Sequence, residues 1–170
     1  MLNHFNFWLF SLINAQPHTS YWLIDIALFY SDFLLPIFII LIFIFNFKNK
    51  PLHILLISTC TLALGLNYIF NQLFYFPRPF VLHIGQTLIH HAATSSLPSH
   101  HMLIASVVCI CLFIKRLKKW GYIGICIALA VGWSRIFIGV HFPLDIISAV
   151  LFAYFYSISI LFFIKRLKFG

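Results

Sequence analysis

The segment Trp133–Asp145 reads WSRIFIGVHFPLD and sets one of the chain's three acidic residues four positions after a histidine. Pro143 favours the start of a helix, because a proline ring is tolerated in the first helical turn. Asp145 then lies in that turn, close enough in sequence to accept a hydrogen bond from one imidazole nitrogen of His141. Such a bond fixes the tautomer and leaves the other nitrogen free to attack or to take a proton. The segment predicts a helix junction that carries a reactive histidine, with Arg135 just before it.

The sequence around this junction is typical of a membrane protein. Of its 170 residues, 62% are hydrophobic and 8% are charged, and the mean hydropathy is +1.01. A soluble domain of this size could not bury that much apolar surface, so lipid must be the solvent for most of it. We expect a single all-α domain of residues 1–170, an integral membrane helical bundle with a short interfacial helix at the N-terminus. The predicted spans, about five in number, are roughly 21–47, 52–74, 99–114, 120–138 and 144–164.

The net charge of +8 could suggest a nucleic-acid partner, but the placement of the basic residues excludes it. With five spans, three basic clusters fall on one side of the membrane, which the positive-inside rule makes the cytoplasm. The clusters are Lys48 and Lys50; Lys115, Arg116, Lys118 and Lys119; and Lys165, Arg166 and Lys168. The two remaining basic residues, Arg78 and Arg135, then lie on the outer face. Two arginines placed against this charge pattern indicate a bound anion.

The outer-face segment Phe76–Phe80 reads FPRPF. Two prolines flank Arg78, so regular helix is disfavoured and the loop is stiff, which fixes where the guanidinium points. Taken alone, an arginine here is equally compatible with a side chain that extends to the lipid headgroups.

A second outer-face segment, Ser96–His101, reads SLPSHH. Pro98 suits the first turn of a helix, which then contains Ser99, His100 and His101. Free N–H groups and the helix dipole favour an anion there. Without the other motifs, a helix cap with interfacial histidines is the favoured interpretation of this segment, and a lone His-x-x-x-Asp pair is weak evidence because many such pairs only satisfy each other.

The occurrence of all these segments on one face favours a catalytic site over the simpler interpretation of each segment alone. Two arginines, a serine, histidines and a carboxylate converge on one face beside two helix N-termini. The fork of an arginine matches phosphate oxygens. One histidine as nucleophile and another as acid suffice for phosphoryl transfer, so neither a metal nor a cofactor is expected.

The motifs P-R-P-F, P-S-H-H and S-R-x5-H-x3-D occur in the order typical of the type-2 phosphatidic acid phosphatase superfamily. The family pattern is K-x6-R-P, P-S-G-H and S-R-x5-H-x3-D, and the resemblance extends from about Asn67 through the last span. The run from Asn67 to His101 most resembles the bacitracin-resistance type of undecaprenyl-diphosphatase. This resemblance implies hydrolysis of the terminal phosphate of undecaprenyl diphosphate, which recycles the carrier lipid for cell-wall peptidoglycan. It also implies a bacterial cytoplasmic membrane with the site facing outward.

The resemblance also implies roles for individual residues. His141 is the implied nucleophile that forms a phosphohistidine, Asp145 orients it, and His101 protonates the leaving lipid phosphate. The implied phosphate-binding groups are Arg78, Arg135, Ser99 and the backbone around His100, with Asn71, Ser134 and His91 as possible accessories. Two positions depart from the family pattern, since Asn71 replaces the lysine of the first motif and His100 replaces the glycine of the second.

Some polar residues and other functions stay open from the sequence. Asp25 and Asp32 lie two helical turns apart in the first span, where a carboxylate is either functional or bonded to a neighbouring helix, and Pro36 predicts a kink. The substrate could instead be phosphatidylglycerol phosphate, phosphatidic acid or lipid A, and a transporter could bind a phosphorylated lipid without cleaving it. A metal site of His90, His91, His100, His101 and His141 is disfavoured because the arginines would repel a cation. The oligomeric state is not predicted.

Overall fold

Seven α-helices, one π-helical turn and one 3₁₀ turn account for the regular structure in the described part of the chain. The computed structural model describes the backbone of residues 2–169 and the side chains of residues 4–162. The helices are α1 Leu2–Ile13, α2 Tyr21–Phe29, α3 Leu35–Phe45, α4 Lys50–Leu73, α5 His100–Ile114, α6 Lys118–Phe137 and α7 Pro143–Phe169. The π turn is Tyr30–Leu34, and the 3₁₀ turn is Pro79–Leu82. No strand occurs in this range, so the predicted all-α class is confirmed.

Four of the five predicted spans are helical stretches long and apolar enough to cross a membrane, and the fifth is a shorter apolar helix. The four are Tyr21–Phe45, Lys50–Leu73, Lys118–Phe137 and Pro143–Phe162. The predicted span 99–114 is α5, a helix of 15 residues, or about 22 Å, which is shorter than a bilayer core of about 30 Å. The physical reason is its central position, since α5 packs against α4, α6 and α7. Neighbouring helices surround it, so its length need not match the lipid.

The first span is interrupted by the π turn, close to the predicted kink. In an α-helix the N–H of residue 36 would donate to the carbonyl of Asp32, but Pro36 has no N–H and its ring crowds that carbonyl. The helix widens into a π turn just before the proline and continues as α3. The turn packs against α6 and buries Ser31 completely.

The predicted N-terminal helix is present as α1, and it is amphipathic. Phe5, Trp8 and Leu12 are each more than half exposed, whereas Phe10 is fully buried. Phe10 lies 5.1 Å from Phe142 between ring centroids, in the junction between α6 and α7. An exposed aromatic face on a short helix fits a position in the membrane interface.

Two asparagines connect α1 to that same junction. The Oδ1 of Asn6 accepts a hydrogen bond of 3.0 Å from the N–H of Leu144 at the start of α7. The Nδ2 of Asn14 donates to the carbonyls of Phe137 at 3.0 Å and Gln86 at 2.8 Å. The Leu144 N–H and the Phe137 carbonyl are backbone groups that helix ends leave unpaired, so the two asparagines hold the start of α7 and the end of α6 against the N-terminal segment.

The ends of four helices meet at one end of the bundle. The C-terminal ends of α4 and α6 lie there with the N-terminal ends of α5 and α7, as contacts of Asn71 with His100 and of Ser99 with Asp145 show. The first two basic clusters lie at the opposite end of the bundle, at the α3–α4 and α5–α6 junctions. The side chains of residues 165–168 lie outside the described range. The helices therefore bring the three motifs together at the end away from the two described clusters.

Candidate active site

A glycine turn positions the histidine of the third motif. Gly139 has a φ of +82°, a left-handed conformation that side chains rarely adopt. A Cβ at this position would also collide with the carbonyl oxygen of Gln86. The N–H of Leu88 donates to the carbonyl of Ile138 at 3.0 Å, which fixes the turn against the segment between α4 and α5. His141 therefore sits on a constrained turn.

The Asp145 carboxylate is buried, and one of its oxygens makes the contacts to His141 and its neighbours. Its Oδ2 lies 3.3 Å from Nδ1 of His141 and accepts a hydrogen bond of 2.8 Å from the N–H of Phe142. Ser96 Oγ donates to this same oxygen and lies 3.4 Å from Nδ1 of His141. The predicted pairing of His141 with Asp145 is therefore present, with a serine as a third member.

The opposite nitrogen of His141 faces an arginine. Nε2 of His141 lies 3.2 Å from Nη1 of Arg78, and an arginine can only donate. The proton therefore belongs on Nδ1, toward Asp145, and Nε2 presents its lone pair. Burial lowers the pKa of His141 well below its ordinary value, although its hydrogen bond to Asp145 acts in the opposite direction. The imidazole is therefore neutral at neutral pH, as a nucleophile requires.

Arg78 is surrounded by protein acceptors. Its Nε donates to the carbonyl of Thr94 at 3.0 Å, and Nη2 donates to Thr94 Oγ1 at 3.3 Å and to the Ser95 carbonyl at 3.1 Å. Its Nη1 donates to the carbonyl of Val140 at 3.0 Å as well as to His141. Burial lowers the pKa of Arg78 to about 10, so the group stays charged at neutral pH. Arg78 thus connects the first motif to the third motif and to the two residues that precede the run Ser96–His101.

Arg135 is just as buried but has few partners. Its Nη1 donates to Ser31 Oγ at 2.6 Å and lies 4.0 Å from Oδ1 of Asp32. Its Nε is buried and has no hydrogen-bond partner in the described range. The sequence left Asp32 open and gave no role to Ser31, because contacts between the first span and α6 have no local signal.

The start of α5 supplies further polar groups. Ser99 is fully buried and its Oγ has no hydrogen-bond partner among the described residues, while its N–H donates to the Asp145 carbonyl at 3.3 Å. Nε2 of His100 lies 3.3 Å from Nδ2 of Asn71, so the two departures from the family pattern contact each other. His101 is half-buried in the same turn. An unpaired hydroxyl at a helix N-terminus provides a place for an anion.

The two remaining accessory residues do not join this hydrogen-bonded group. Ser134 Oγ donates to the Val131 carbonyl of its own helix at 2.8 Å, as serines inside apolar helices commonly do. Nδ1 of His91 lies 3.0 Å from the carbonyl of the adjacent Ala92. Among the residues with described side chains, the five histidines considered for a metal form no group of three or more possible ligands.

Sequence reasoning gave no roles to Thr94, Ser95 or Ser96. Thr94 and Ser95 contribute carbonyl oxygens to Arg78, and backbone acceptors leave no trace in residue type. Ser96 was detectable in principle, because it opens the quoted run SLPSHH two residues before its proline.

Comparisons with known proteins agree with the three motifs. The pattern of the PAP2 superfamily matches residues 51–168. YbjG of Escherichia coli (strain K12) is 32% identical over 156 residues, which are 89% of this chain and 78% of YbjG. Undecaprenyl-diphosphatase BcrC of Bacillus subtilis (strain 168) is 30% identical over 152 residues, 87% of this chain and 78% of that protein.

Two solved structures share the fold. The PAP2-type phosphatidylglycerolphosphate phosphatase of Bacillus subtilis has a TM-score of 0.69 at 21% identity, covering 97% of this chain and 87% of the other. LpxE of Aquifex aeolicus has a TM-score of 0.63 at 28% identity, covering 90% and 92%. The helical arrangement is therefore shared with transmembrane PAP2 phosphatases.

Proposed function

This chain belongs to the PAP2 superfamily, and from that premise we propose that it hydrolyses the terminal phosphate of undecaprenyl diphosphate without a metal. The membrane-spanning helices support a multi-pass membrane enzyme. The curated relative BcrC, which carries the name undecaprenyl-diphosphatase and aligns over most of this chain, supports the substrate. The site would face outward across a bacterial cytoplasmic membrane, as the positions of the basic clusters predict.

A single observation carries the chemistry. The neutral His141 directs its Nε2 lone pair at Arg78, while Asp145 lies beside Nδ1. In the reaction, the terminal phosphoryl group enters between Nε2 and the guanidinium. The Nη1–H of Arg78 then exchanges its contact with Nε2 for a phosphoryl oxygen, which frees the lone pair to attack.

The proposed reaction has two steps. Nε2 of His141 attacks the terminal phosphorus, the bond from phosphorus to the bridging oxygen breaks, and His101 donates a proton to the leaving undecaprenyl phosphate. Water then attacks the phosphohistidine and gives its proton to His101, which releases inorganic phosphate and restores His141. Asp145 stabilises the positive charge that forms on the imidazole in the first step.

Three groups would hold the transferred phosphoryl oxygens. Arg78 and Arg135 supply charge, and the buried Ser99 hydroxyl supplies a donor at the start of α5. The backbone around His100 adds the free N–H groups and dipole of a helix N-terminus. Charge-assisted contacts of this kind stabilise the charge of the transition state without a metal.

The proposal is tested by phosphate release from undecaprenyl diphosphate, with purified protein in detergent and EDTA. We expect release by the wild type, and its loss by a factor of about 1,000 or more in His141→Ala, because the covalent step disappears. His90→Ala, which changes an exposed histidine of the outer loop, is the matched control and should keep wild-type activity. When the reaction with labelled substrate is stopped after a short time, the wild type should carry an acid-labile phosphoryl label, and His141→Ala should not.

The outcomes separate substrate from mechanism. Release from phosphatidylglycerol phosphate alone would keep the histidine chemistry and overturn the substrate. Loss of activity in EDTA, or in His90→Ala, would revive the metal site. Binding of the lipid diphosphate without release would favour a transport function.

A further inference from the structure

A directed chain of hydrogen bonds connects the first span to Arg135. Nη1 of Arg135 donates to Ser31 Oγ at 2.6 Å, and Ser31 Oγ donates to Oδ1 of Asp32 at 2.8 Å. The direction is fixed by chemistry, because arginine has no acceptor and an ionised carboxylate has no donor. The single proton of Ser31 points to Asp32, so its lone pairs face the guanidinium.

The π turn makes this chain possible. An extra residue in the turn shifts the faces of the helix, and Pro36 fixes the place where the shift occurs. Ser31 becomes fully buried against α6, whereas the side chain of Asp32 stays half exposed. The carboxylate therefore acts on Arg135 mainly through the serine, since its own oxygen is 4.0 Å from Nη1 and makes no direct hydrogen bond.

This arrangement anchors one edge of the guanidinium and leaves another unused. Nη1 is held by Ser31, whereas the N–H of Nε is buried and unpaired in the described range. A buried donor without a partner is costly, so a ligand group is expected to complete it. Arginine binds phosphate through parallel N–H···O bonds from its planar fork, so the orientation of the fork affects the binding.

We propose that Ser31 and Asp32 are positioning residues that hold Arg135 by Nη1, so that its Nε edge meets the transferred phosphoryl group. This inference rests on the proposed function, because it assumes that the anion at Arg135 is the substrate phosphate. Ser31 and Asp32 do not touch the substrate; they act through the orientation of one side chain.

For Asp32→Asn, simple electrostatics and the positioning role predict changes of opposite sign in the affinity for an anion. A carboxylate near an anion site repels the anion, so its removal in Asp32→Asn should tighten binding if charge alone counted. Positioning predicts weaker binding, because Ser31 loses a charged acceptor and its hold on Nη1 weakens. The sign of the change therefore separates the two explanations.

The test uses orthovanadate, which resembles the phosphoryl group in its transition state. Its binding is measured both by inhibition of phosphate release and by protection of the detergent-solubilised protein against thermal unfolding. We expect Ser31→Ala to weaken vanadate binding and to lower kcat/KM about tenfold, the loss typical of one hydrogen bond to a charged group. Asp32→Asn should lower vanadate affinity and kcat/KM by a smaller factor. Ser31→Thr, which keeps the hydroxyl, should retain the wild-type values of both.

Matched controls remove the same groups elsewhere. Asp25→Asn removes a carboxylate from the same span, and Ser58→Ala removes an exposed serine hydroxyl on α4. Both should leave vanadate affinity unchanged. A variant that merely folds less completely would lower kcat without changing the vanadate affinity of the folded fraction, so affinity is the decisive measurement.

A double variant tests whether Ser31 acts through Arg135. In an Arg135→Lys background the anchored edge is gone, so adding Ser31→Ala should change vanadate affinity by less than about twofold. Wild-type vanadate affinity in Ser31→Ala, tighter binding in Asp32→Asn, or additive effects in the double variant would each overturn the inference. A wild type that binds vanadate but does not release phosphate would overturn the proposed function and leave the positioning of Arg135 to be decided by the protection measurements.

Discussion

Arg78 and Arg135 are both buried arginines of the site, yet the protein surrounds them differently. Arg78 lies on a loop and donates five hydrogen bonds to protein acceptors, three of them backbone carbonyls. Arg135 lies in the last turn of α6, and within residues 4–162 its guanidinium donates one side-chain hydrogen bond, to Ser31. Arg78 is a structural centre that also contacts His141, and Arg135 keeps a donor that is unpaired among the described residues.

The resemblance implies the same phosphate-binding role for both arginines, yet the protein holds the two side chains in different ways. Arg78 must exchange existing contacts before it can bind a phosphate, and the exchange involves Nε2 of His141. Arg135 can bind through Nε without breaking any described hydrogen bond. We therefore expect Arg78 to affect folding as well as catalysis, and Arg135 to affect catalysis almost alone.

The largest expected effect comes from removing each arginine in turn. Arg78→Ala leaves the carbonyls of Thr94, Ser95 and Val140 without their donor, so we expect a loss of roughly 3 kcal/mol in unfolding free energy as well as of activity. Arg135→Ala should lose activity with less than about half that destabilisation, because it removes a single hydrogen bond. Unfolding in detergent and phosphate release would be measured on both variants.

The lysine variants serve as controls for charge. Arg78→Lys keeps the charge but cannot reach all five acceptors, so it should still be destabilised, whereas Arg135→Lys should be close to wild type in stability. Equal destabilisation by the two alanine variants would show that the structural distinction between the arginines is wrong.

A smaller effect is expected from the turn that supplies an acceptor to Arg78. In Gly139→Ala the new Cβ meets the carbonyl of Gln86 in a left-handed conformation, so the turn must move and the Val140 carbonyl must move with it. We expect a loss of about 1–2 kcal/mol in stability and a marked fall in activity.

A glycine on α4 provides the comparison. A Cβ at Gly65 meets nothing within 4 Å, so Gly65→Ala should be neutral or stabilise the helix by up to about 1 kcal/mol. Activity should not change there. If Gly139→Ala were as stable and active as Gly65→Ala, the turn would not be needed to hold the Arg78 contacts.

The sequence predicted the helical membrane fold because composition and periodicity report directly on lipid exposure. The bounds of α5 were predicted as well, since His100–Ile114 lies within the predicted segment 99–114, but an apolar run cannot distinguish lipid neighbours from helix neighbours. Residues 99–114 read as a fifth full span, but α5 is surrounded by α4, α6 and α7. Its length is set by packing that single-sequence patterns do not record.

The contacts of the site also differ in whether the sequence alone could predict them. The pairing of His141 with Asp145 was predictable because four residues separate them on one junction, and the structure has it. The anchor of Arg135 was not, because Ser31 is 104 positions away and reaches α6 only through the π turn. Their roles in catalysis stay predictions until the variants are measured.

The smallest expected effect concerns the position of Asn71, where the family pattern has a third basic residue. The family pattern has a lysine where this chain has Asn71, and Asn71 contacts His100 at the start of α5. Asn71→Lys would add a positive charge near the proposed phosphate site, worth about 1 kcal/mol in a partly exposed setting, or roughly a fivefold lower KM. The control Gln72→Lys adds the same charge at the next, exposed position and should change KM by less than about half as much. An equal effect of both lysines would mean that only overall charge counts, whereas a raised KM in Asn71→Lys would show that the contact with His100 orders the site more than a lysine can.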